Sequence, residues 1–366
     1  MRTTEVVLPG VGEPESLRVR VRDLPEPAPG QALVRVEASG VSFAEQQMRR
    51  GKYYDQPPFP FVPGYDLVGV VTALGPAGPD GGPAGREKSA PGRANDPAEI
   101  RVGQRVAALT KTGGWAEHVL LDAADLVPVP DGIDPADAET VVVNGVTAWR
   151  MLHRVARVRP GQTVVVLGAN GGVGSTLVQL ARHAGARVVG TASAAHHDRL
   201  RRLGAIPVDY RTEDVAARVR ELAPDGVAAV FDHVGGPGIV DSWRMLARGG
   251  TLVCYGTAAT RDVPGNPRLP VLRLLARLTL WHVLPNGRGA TFFNLWAGRA
   301  RHPRRYRQEL RADLGRVFGL LAEGALSAQI AATYPLTEAA AALRHAESGG
   351  VAGKVLLLPA PPRADA

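Results

Sequence analysis

Apolar and polar positions alternate in short runs through the first part of the chain. The runs "LRVRVRDLP", "QALVRVEASG" and "LVGVVTALG" are rich in β-branched residues and end at proline or glycine. Alternation with a period of two, or a short apolar run between turn residues, is typical of β-strands. The pattern therefore predicts a β-rich, barrel-like domain at the start of the chain.

After "AEHVLLDAADLVPVP" the pattern changes to alternating strands and helices. The run "TVVVLG" predicts a buried strand, and the segment after it has apolar residues at helical spacing, namely Val173, Leu177, Leu180, Ala181 and Ala184. Further strands "ARVVGTA", "IPVDY", "VAAVFDHVGG" and "TLVCYG" alternate with helices "DRLRRLGA", "EDVAARVRELA" and "IVDSWRMLARGG". Such repeated units predict a parallel sheet covered by helices on both faces.

Three segments do not fit either pattern. Residues 75–97 are rich in proline, glycine and polar residues, which predicts a mobile surface loop. The stretch "LPVLRLLARLTLWHVL", residues 269–284, is apolar with arginines at 273 and 277. It could lie on a membrane surface, but a helix packed against the cleft or a neighbouring subunit is favoured. The tail "PPRADA" is expected to fray.

The composition is that of an ordinary globular protein. The chain has 366 residues, of which 45% are hydrophobic and 21% charged, and this length suits about two domains. Its 43 basic residues outnumber 35 acidic ones, which favours anionic ligands. The densest arginine cluster, Arg299 to Arg307, lacks a nucleic-acid-binding signature and is interpreted as a solvated helix face, so no nucleic-acid partner is expected.

Cysteine content and hydropathy indicate the cellular compartment in which the protein is expected. The single Cys254 excludes an internal disulfide and a multi-cysteine zinc site, and its apolar neighbours predict a buried core residue. The start "MRTTEVVLPG" lacks an apolar signal core, and no uncharged run reaches the roughly 18 residues that span a bilayer. We therefore expect a cytoplasmic protein without an integral membrane segment.

The chemistry centres on a glycine-rich turn. Gly168, Gly171 and Gly174, with Gly172 beside them, follow a predicted strand and open a predicted helix. This arrangement allows a tight turn, close approach of a pyrophosphate and close helix–strand packing, while helix-start amides point at phosphate oxygens. In this context a dinucleotide site is favoured over a purely structural turn.

The end of the next strand bears on the choice of cofactor. Proteins that bind NAD usually have an acidic residue there, whereas "VVGTASAAHH" has none before Asp198. A 2′-phosphate would meet possible donors at Ser193, His196 or His197, with Arg199 nearby. NADPH is therefore preferred, with helix capping as the alternative role for these side chains.

The motifs resemble those of the zinc-free quinone oxidoreductase branch of the medium-chain dehydrogenase/reductase superfamily. They are "ASGVSFAEQQMRRGKYYDQPPFPFVPGYDLVGVV", "GGWAEHVLL", "NGVTAWRML", "GANGGVGSTLVQLARHAGARVVGTAS", "VDYR", "FDHVGG", "YGTA" and "YPLTEAAAALRHAESGGVAGKVLLLP". Within that branch they look most like the vesicle amine transport protein homologue subgroup. The resemblance implies an α/β fold in which a doubly wound Rossmann sheet is inserted in a GroES-like β-barrel catalytic domain. The implied boundaries are 1–125 for the catalytic domain, 126–326 for the NADPH-binding domain and 327–366 for the return to the catalytic domain.

The resemblance also implies roles for individual residues. Thr147 would lie beside the nicotinamide, Ser193 and Tyr210 near the 2′-phosphate, and Lys354 would have either a cofactor or a structural role. Asn144 and His196 are further candidates for cofactor binding. The glycine turn and a later strand end would follow the rest of the cofactor, through Gly168, Asn170, Gly171, Gly172, Val173, Gly174, Gly256 and Thr257. Relatives are commonly homodimers through an edge strand, so a homodimer is expected.

Departures from the family pattern affect the chemistry. Zinc-dependent relatives have a cysteine and a histidine where this chain has Ser42 and Tyr65, so a thiolate-ligated catalytic zinc is not expected. The dispersed histidines lack metal-ligand spacing, and Asp232 and His233 at a predicted strand end are open between a ligand and a turn role. Gln104 replaces an aspartate of the usual turn without changing the functional prediction.

Without a metal, hydride transfer to an electron-poor quinone or α,β-unsaturated carbonyl is favoured over alcohol oxidation. Tyr53 and Ser42 are the predicted hydrogen-bond donors to the substrate, with ring packing as the alternative for Tyr53. The predicted pocket residues are Tyr54, Tyr65, Phe292 and Phe293; the last two are also candidates for a dimer edge. Two other functions remain open: a cofactor-binding or lipid-associated protein without turnover, and a non-redox cyclase or rearrangement enzyme.

Overall fold

The chain folds around two large β-sheets. The computed structural model describes residues 1–76, 100–260 and 268–360. Its strands are β1 (Arg2–Val7), β2 (Arg18–Asp23), β3 (Gln31–Val41), β4 (Asp66–Leu74), β5 (Arg105–Leu109), β6 (His118–Asp122), β7 (Val127–Pro128), β8 (Thr163–Val166), β9 (Arg187–Ala192), β10 (Ala205–Asp209), β11 (Val227–Asp232), β12 (Leu246–Cys254), β13 (Gly289–Phe292), β14 (Ile330–Pro335) and β15 (Lys354–Leu358).

Ten α-helices accompany these strands within the described residues. They are α1 (Phe43–Arg49), α2 (Pro135–Thr140), α3 (Val142–Trp149), α4 (Gly172–His183), α5 (His197–Arg202), α6 (Val215–Leu222), α7 (Ile239–Arg244), α8 (Arg268–Val283), α9 (Pro303–Ala322) and α10 (Ala339–Glu347). No helix among them is long and apolar enough to span a bilayer.

The first sheet is barrel-like and mostly antiparallel. Its order is β14-β15-β3-β4-β5-β7, and β6 pairs with β3. The period-two pattern of β3 buries Val34 and Val36, which pack with Leu67 and Val71 of β4. Alternation in the sequence thus becomes one apolar face that closes on itself.

The second sheet is parallel throughout. Its order is β10-β9-β8-β11-β12-β13, with helices on both faces. One face packs under α3 and α4 through residues such as Leu177 and Leu180, and the other under α6, α7 and α8 through Val219, Ile239 and Leu274. Strands buried on both sides explain their continuous apolar runs. The prediction of a Rossmann sheet combined with a GroES-like barrel is confirmed.

The end of the chain returns to the barrel. Strand β15 pairs antiparallel with β3, and β14 pairs parallel with β15. Strand β7 pairs with barrel strand β5, so the barrel sheet continues two or three residues past the expected boundary at 125. The implied boundaries otherwise stay a prediction.

Local differences from the sequence patterns have physical reasons. The helix predicted over "IVDSWRMLARGG" ends at Arg244, because β12 begins at Leu246 and pairs there with Val227 of β11. In the arginine cluster, Arg299 and Arg307 dock onto the barrel through ion pairs with Asp125, so the face is only partly solvated. Most of the predicted loop at 75–97 and the tail at 361–366 lie outside the described residues.

Helix α8 covers the edge of the parallel sheet incompletely. Leu274 and Leu278 are buried against it, and Trp281 stacks on Trp243 with ring centroids 5.0 Å apart. Leu272 and Leu280 are exposed. The helix therefore packs beside edge strand β13 and keeps an apolar outer face.

Candidate functional site

A cleft runs between the barrel and the parallel sheet. One cavity of about 420 Å³ is lined by both, and a second of about 630 Å³ continues along the carboxyl ends of β8, β9 and β10. Gly168, Gly171 and His233 line both cavities. The carboxyl ends of parallel strands are where ligands bind in such sheets, so this is the candidate active site.

The predicted site residues gather in this cleft, with the exception of His196. The larger set lines the cavity shared with the barrel: Ser42, Tyr53, Tyr54, Tyr65, Asn144, Thr147, Gly168, Gly171, Gly172, Val173, Gly174, Gly256, Thr257, Phe292, Phe293 and Lys354. Asn170, Ser193 and Tyr210 line the other cavity. His196 lines neither, because it lies in the short turn that leads into α5.

The glycine turn has the shape that the sequence predicts. Gly168 has a φ of 63°, and a Cβ there would collide with the His233 imidazole. A Cβ on Gly174 would collide with the Gly168 carbonyl oxygen, so α4 packs closely on the turn. Helix α4 begins after Gly171, which provides no side-chain cap. The amides of its first turn are therefore suited to an anionic group, and the donor set fits a pyrophosphate.

The segment that precedes β15 is hydrogen-bonded to this turn. Asn170 donates from Nδ2 to the carbonyl oxygen of Val351 over 3.1 Å, and the Gly353 amide donates to the Asn170 carbonyl oxygen over 3.0 Å. The predicted pyrophosphate turn thus contacts both halves of the molecule. The Asn170 side chain is used for this contact.

The far end of the cleft lies at the ends of β9 and β10. Ser193 and the exposed Tyr210 line it, and the Arg211 guanidinium lies 5.7 Å from the Tyr210 ring centroid. Arg199, considered above as an anion donor, instead binds Gln329 and the Ala352 carbonyl oxygen. His197 contacts the Ala192 carbonyl oxygen. The donors left facing this end are the two hydroxyls, with an arginine beside them.

Three aromatic side chains form a hydrogen-bonded chain at the opposite end. The hydroxyl oxygens of Tyr53 and Tyr65 are 2.9 Å apart, and Trp296 Nε1 donates to the Tyr65 oxygen. Burial raises the pKa of both tyrosines, so both are neutral at physiological pH. Tyr54 packs on Tyr53 with ring centroids 4.6 Å apart and is half-exposed.

Ser42 has a different role from the one predicted. It caps α1: its oxygen accepts from the Ala44 amide over 3.1 Å, and its hydroxyl donates to Glu45. Glu45 also accepts the Ser42 amide over 2.8 Å. The prediction that Ser42 donates to substrate is thereby corrected, because this capping box directs the hydroxyl proton to Glu45. Burial raises the pKa of Glu45.

Lys354 is an ion-pair residue. Its ammonium lies 2.5 Å from Asp66 Oδ2 and 2.9 Å from Glu139 Oε1, and all three side chains are buried. Burial opposes the charge on Lys354, but Asp66 and Glu139 outweigh this and raise its pKa. Of the two roles left open by the sequence, the geometry favours the structural one.

Sequence reasoning left the role of His233 open and did not single out Glu45. His233 lies against Gly168, Nδ1 is 3.1 Å from the Leu167 carbonyl oxygen, and burial lowers its pKa. Its place directly after β11 was the available signal. Glu45 completes the "SFAE" capping box, which the spacing alone could have indicated. Asp232 has the turn role, accepting from the amides of Val234 and Gly235.

Metal ligands are not grouped in the part of the chain that the structure describes. No three histidine, cysteine, aspartate or glutamate side chains there are arranged to hold an ion. Cys254 is buried beside Asp232, and burial raises the pKa of its thiol to about 12. At physiological pH this thiol is therefore protonated.

Comparison with known proteins gives two family matches. Residues 28–131 match the family described as alcohol dehydrogenase GroES-like domain, and residues 203–357 match the one described as zinc-binding dehydrogenase. The synaptic vesicle membrane protein VAT-1 homolog of Rattus norvegicus is 30% identical over 365 residues, covering 97% of this chain and 84% of that protein.

Solved structures agree with these matches. A quinone oxidoreductase of Pseudomonas syringae pv. Tomato DC3000 is 28% identical with a TM-score of 0.79, covering 98% of this chain and 100% of its own. A mycobacterial protein complexed with NADPH is 30% identical with a TM-score of 0.78, at the same coverage of both chains. Both similarities extend over the barrel and the parallel sheet.

Proposed function

Since the chain belongs to the medium-chain dehydrogenase/reductase superfamily, in its quinone-oxidoreductase-like branch, and is an NADPH-dependent oxidoreductase, we propose that it reduces a quinone or an α,β-unsaturated carbonyl without a metal ion. The observation that carries the proposal is the position of the glycine turn. It faces the same cavity as the paired hydroxyls of Tyr53 and Tyr65.

The cofactor would lie along the two connected cavities. The first-turn amides of α4 would hold the pyrophosphate, and Asn144 and Thr147 on α3 would lie beside the nicotinamide. When bound, NADPH supplies a hydride. The residues of the chain would orient the two reactants, and the buried walls of the cleft would exclude water from the reacting atoms.

The 2′-phosphate would lie at the ends of β9 and β10. Ser193 and Tyr210 offer hydroxyl donors there, and Arg211 adds positive charge beside Tyr210. The acid at the end of β10, Asp209, is engaged with the amides of Ala194 and Arg211. This environment favours a phosphate over a free ribose hydroxyl, which supports NADPH over NADH.

The residues at the two family ligand positions support a metal-free reaction. Ser42 is a helix cap and Tyr65 is hydrogen-bonded to Tyr53 and Trp296. Neither residue is of the type that ligates a catalytic zinc ion. An acceptor that is already electron-poor needs orientation and a hydrogen-bond donor for the oxygen that gains charge, and the tyrosine pair offers such a donor.

The substrate class is tested by stopped-flow measurement of NADPH absorbance against a panel of quinones, enones and enoyl thioesters. The proposal expects NADPH oxidation that saturates with the acceptor for at least one of these classes. Tight NADPH binding with no oxidation across the panel would contradict it. That result would instead support a binding protein or a non-redox enzyme on the same fold.

We also propose a homodimer formed through the edge of the parallel sheet and a cytoplasmic location. Strand β13 is the edge of the parallel sheet, and α8 packs beside it with Leu272 and Leu280 exposed. Light scattering should give twice the chain mass, and aspartate at both leucines should give the monomer.

The proposed cytoplasmic location is supported by the single buried Cys254, which suits a reducing compartment. Cell fractionation tests this location.

A further inference from the structure

The hydrogen-bonded chain of Tyr53, Tyr65 and Trp296 joins both halves of the molecule. Tyr65 directly precedes β4 of the barrel, Tyr53 follows α1, and Trp296 follows β13 of the parallel sheet. An indole nitrogen donates a hydrogen bond and cannot accept one. The Tyr65 oxygen must therefore be the acceptor in its contact with Trp296.

Counting protons shows that the tyrosine pair keeps one hydroxyl proton free. If Tyr53 donates to Tyr65, the Tyr65 oxygen accepts two hydrogen bonds and its own proton is not used within the chain. If Tyr65 donates to Tyr53, the proton of Tyr53 is left for the neighbouring Tyr54 hydroxyl or for a ligand. Both hydroxyls line the cavity, so in either arrangement one O–H group can point at a ligand.

In both arrangements negative charge is stabilised on the Tyr65 oxygen. A phenolate on Tyr65 would accept hydrogen bonds from both Trp296 and Tyr53. A phenolate on Tyr53 would take up the proton that Tyr65 already donates to it, which again leaves the charge on Tyr65. Donors that are fixed before the reaction stabilise developing charge most effectively.

We propose that Tyr65 is the acid that protonates the acceptor oxygen, with Trp296 and Tyr53 positioned to stabilise its phenolate. This rests on the proposed reduction of an enone or quinone. Hydride addition to the β-carbon of an enone moves the π electrons onto its oxygen; the O–H bond of Tyr65 breaks and the proton forms a new O–H bond on that oxygen. The Tyr65 phenolate then regains a proton from water.

The surroundings of Tyr65 suit this role. Burial raises the pKa of its hydroxyl, and the hydrogen bonds from Tyr53 and Trp296 partly offset that rise. Tyr53 lacks the contact to the indole, and its pKa is raised by burial and by its tyrosine neighbours. Tyr65 is thus the more acidic of two neutral donors at the same place.

The kinetic test compares Tyr65→Phe, Tyr53→Phe and Trp296→Phe with Tyr334→Phe. Tyr334 contacts His345 and lines neither cavity, so it is the matched control for loss of a hydrogen-bonded hydroxyl. We expect kcat for an enone to fall about 100-fold or more in Tyr65→Phe, with KM little changed. Hydride addition to an electron-poor quinone gives a less basic oxygen than addition to an enone. For quinones, kcat should therefore fall less in Tyr65→Phe. A larger loss in Tyr53→Phe than in Tyr65→Phe would overturn the assignment.

A binding test does not depend on turnover. 4-Nitrophenolate presents an anionic oxygen like that of an enolate, and its absorbance reports hydrogen bonding to that oxygen. In the presence of NADP⁺, Tyr65→Phe should weaken its binding about tenfold or more, since a hydrogen bond to a charged group is lost. Tyr53→Phe should weaken it less, and Tyr334→Phe should not change it. Equal binding by Tyr65→Phe and the unmodified protein would overturn the inference.

The two tests separate this inference from the proposed function. If the unmodified protein reduces none of the acceptors but binds 4-nitrophenolate through Tyr65, the substrate class is wrong and the donor assignment stands. If it reduces enones and Tyr65→Phe does so equally well, the proposed function stands and Tyr65 is not the acid. Thermal melting of each variant confirms that it is folded.

Discussion

The ammonium nitrogen of Lys354 lies 2.5 Å from Oδ2 of Asp66, although the two residues are 288 positions apart. The same Asp66 oxygen accepts the Val143 amide over 2.9 Å at the start of α3. One buried ion pair therefore connects the last barrel strand to the helix that carries Asn144 and Thr147. Both elements line the cavity that the barrel and the parallel sheet share.

We predict that Lys354→Met destabilises the fold by about 3–5 kcal/mol, because it leaves Asp66 and Glu139 buried without a cation. Burial already raises the pKa of Glu139, and without Lys354 it rises further. When the pKa of a carboxyl is higher in the folded than in the unfolded state, stability is lost as the pH rises above the ordinary carboxyl pKa, so the penalty should grow with pH. Denaturant unfolding at several pH values measures this.

Lys111→Met is the control for this experiment. Lys111 pairs with Asp55 in an exposed setting, where an ion pair contributes about 0–1 kcal/mol. Its loss should be small at every pH. A penalty for Lys354→Met no larger than that of Lys111→Met would contradict the structural role of the buried pair.

Gly168→Ala should weaken NADPH binding about tenfold or more. Alanine at a φ of 63° is strained, and its Cβ would displace the His233 imidazole that lies against the turn. Gly161→Ala is the matched control, because Gly161 has a φ of 79° but no atom within 4 Å of its Cβ position. It should lose similar stability and keep its affinity, as calorimetry would show. Equal affinity in both variants would place the dinucleotide elsewhere.

Ser193→Ala should weaken NADPH binding about tenfold or more and leave NADH binding unchanged, since a hydrogen bond to a charged phosphate contributes about 1.5–3 kcal/mol. His196→Ala should change neither affinity, because His196 lies outside both cavities. Fluorescence titration with each dinucleotide gives the two dissociation constants. Parallel losses for NADPH and NADH in Ser193→Ala would argue against a 2′-phosphate at this end.

Removing metal ions should leave turnover intact. The positions of Ser42 and Tyr65 lack the thiolate and imidazole that relatives use for zinc. Dialysis against a chelator should therefore change kcat by less than about twofold. Elemental analysis that finds one tightly held zinc ion per chain, with activity lost on its removal, would contradict the metal-free mechanism.

The sequence predicted the parts of the molecule that depend on local pattern. Period-two runs became barrel strands such as β3, and the glycine spacing at Gly168, Gly171 and Gly174 became a turn at a helix start. These features are encoded within a few neighbouring residues, through backbone freedom and side-chain alternation. They did not need knowledge of distant contacts.

The remaining features depend on residues far apart in the chain. Nothing near Lys354 indicated that its charge is neutralised by Asp66 and Glu139, and nothing near Tyr65 indicated the contact with Trp296. Likewise, Arg199 was a plausible phosphate donor until the fold brought Gln329 to it. Such pairings are set by tertiary packing, which single-sequence patterns do not contain.

Calorimetric titration of the folded protein with NADPH and NADH decides whether the glycine turn holds the cofactor. We expect one NADPH bound per chain, more tightly than NADH, with heat of binding lost or strongly reduced in Gly168→Ala. Absence of binding by either dinucleotide, on protein whose thermal melting shows a cooperative fold, would contradict the claim that the glycine turn holds the cofactor.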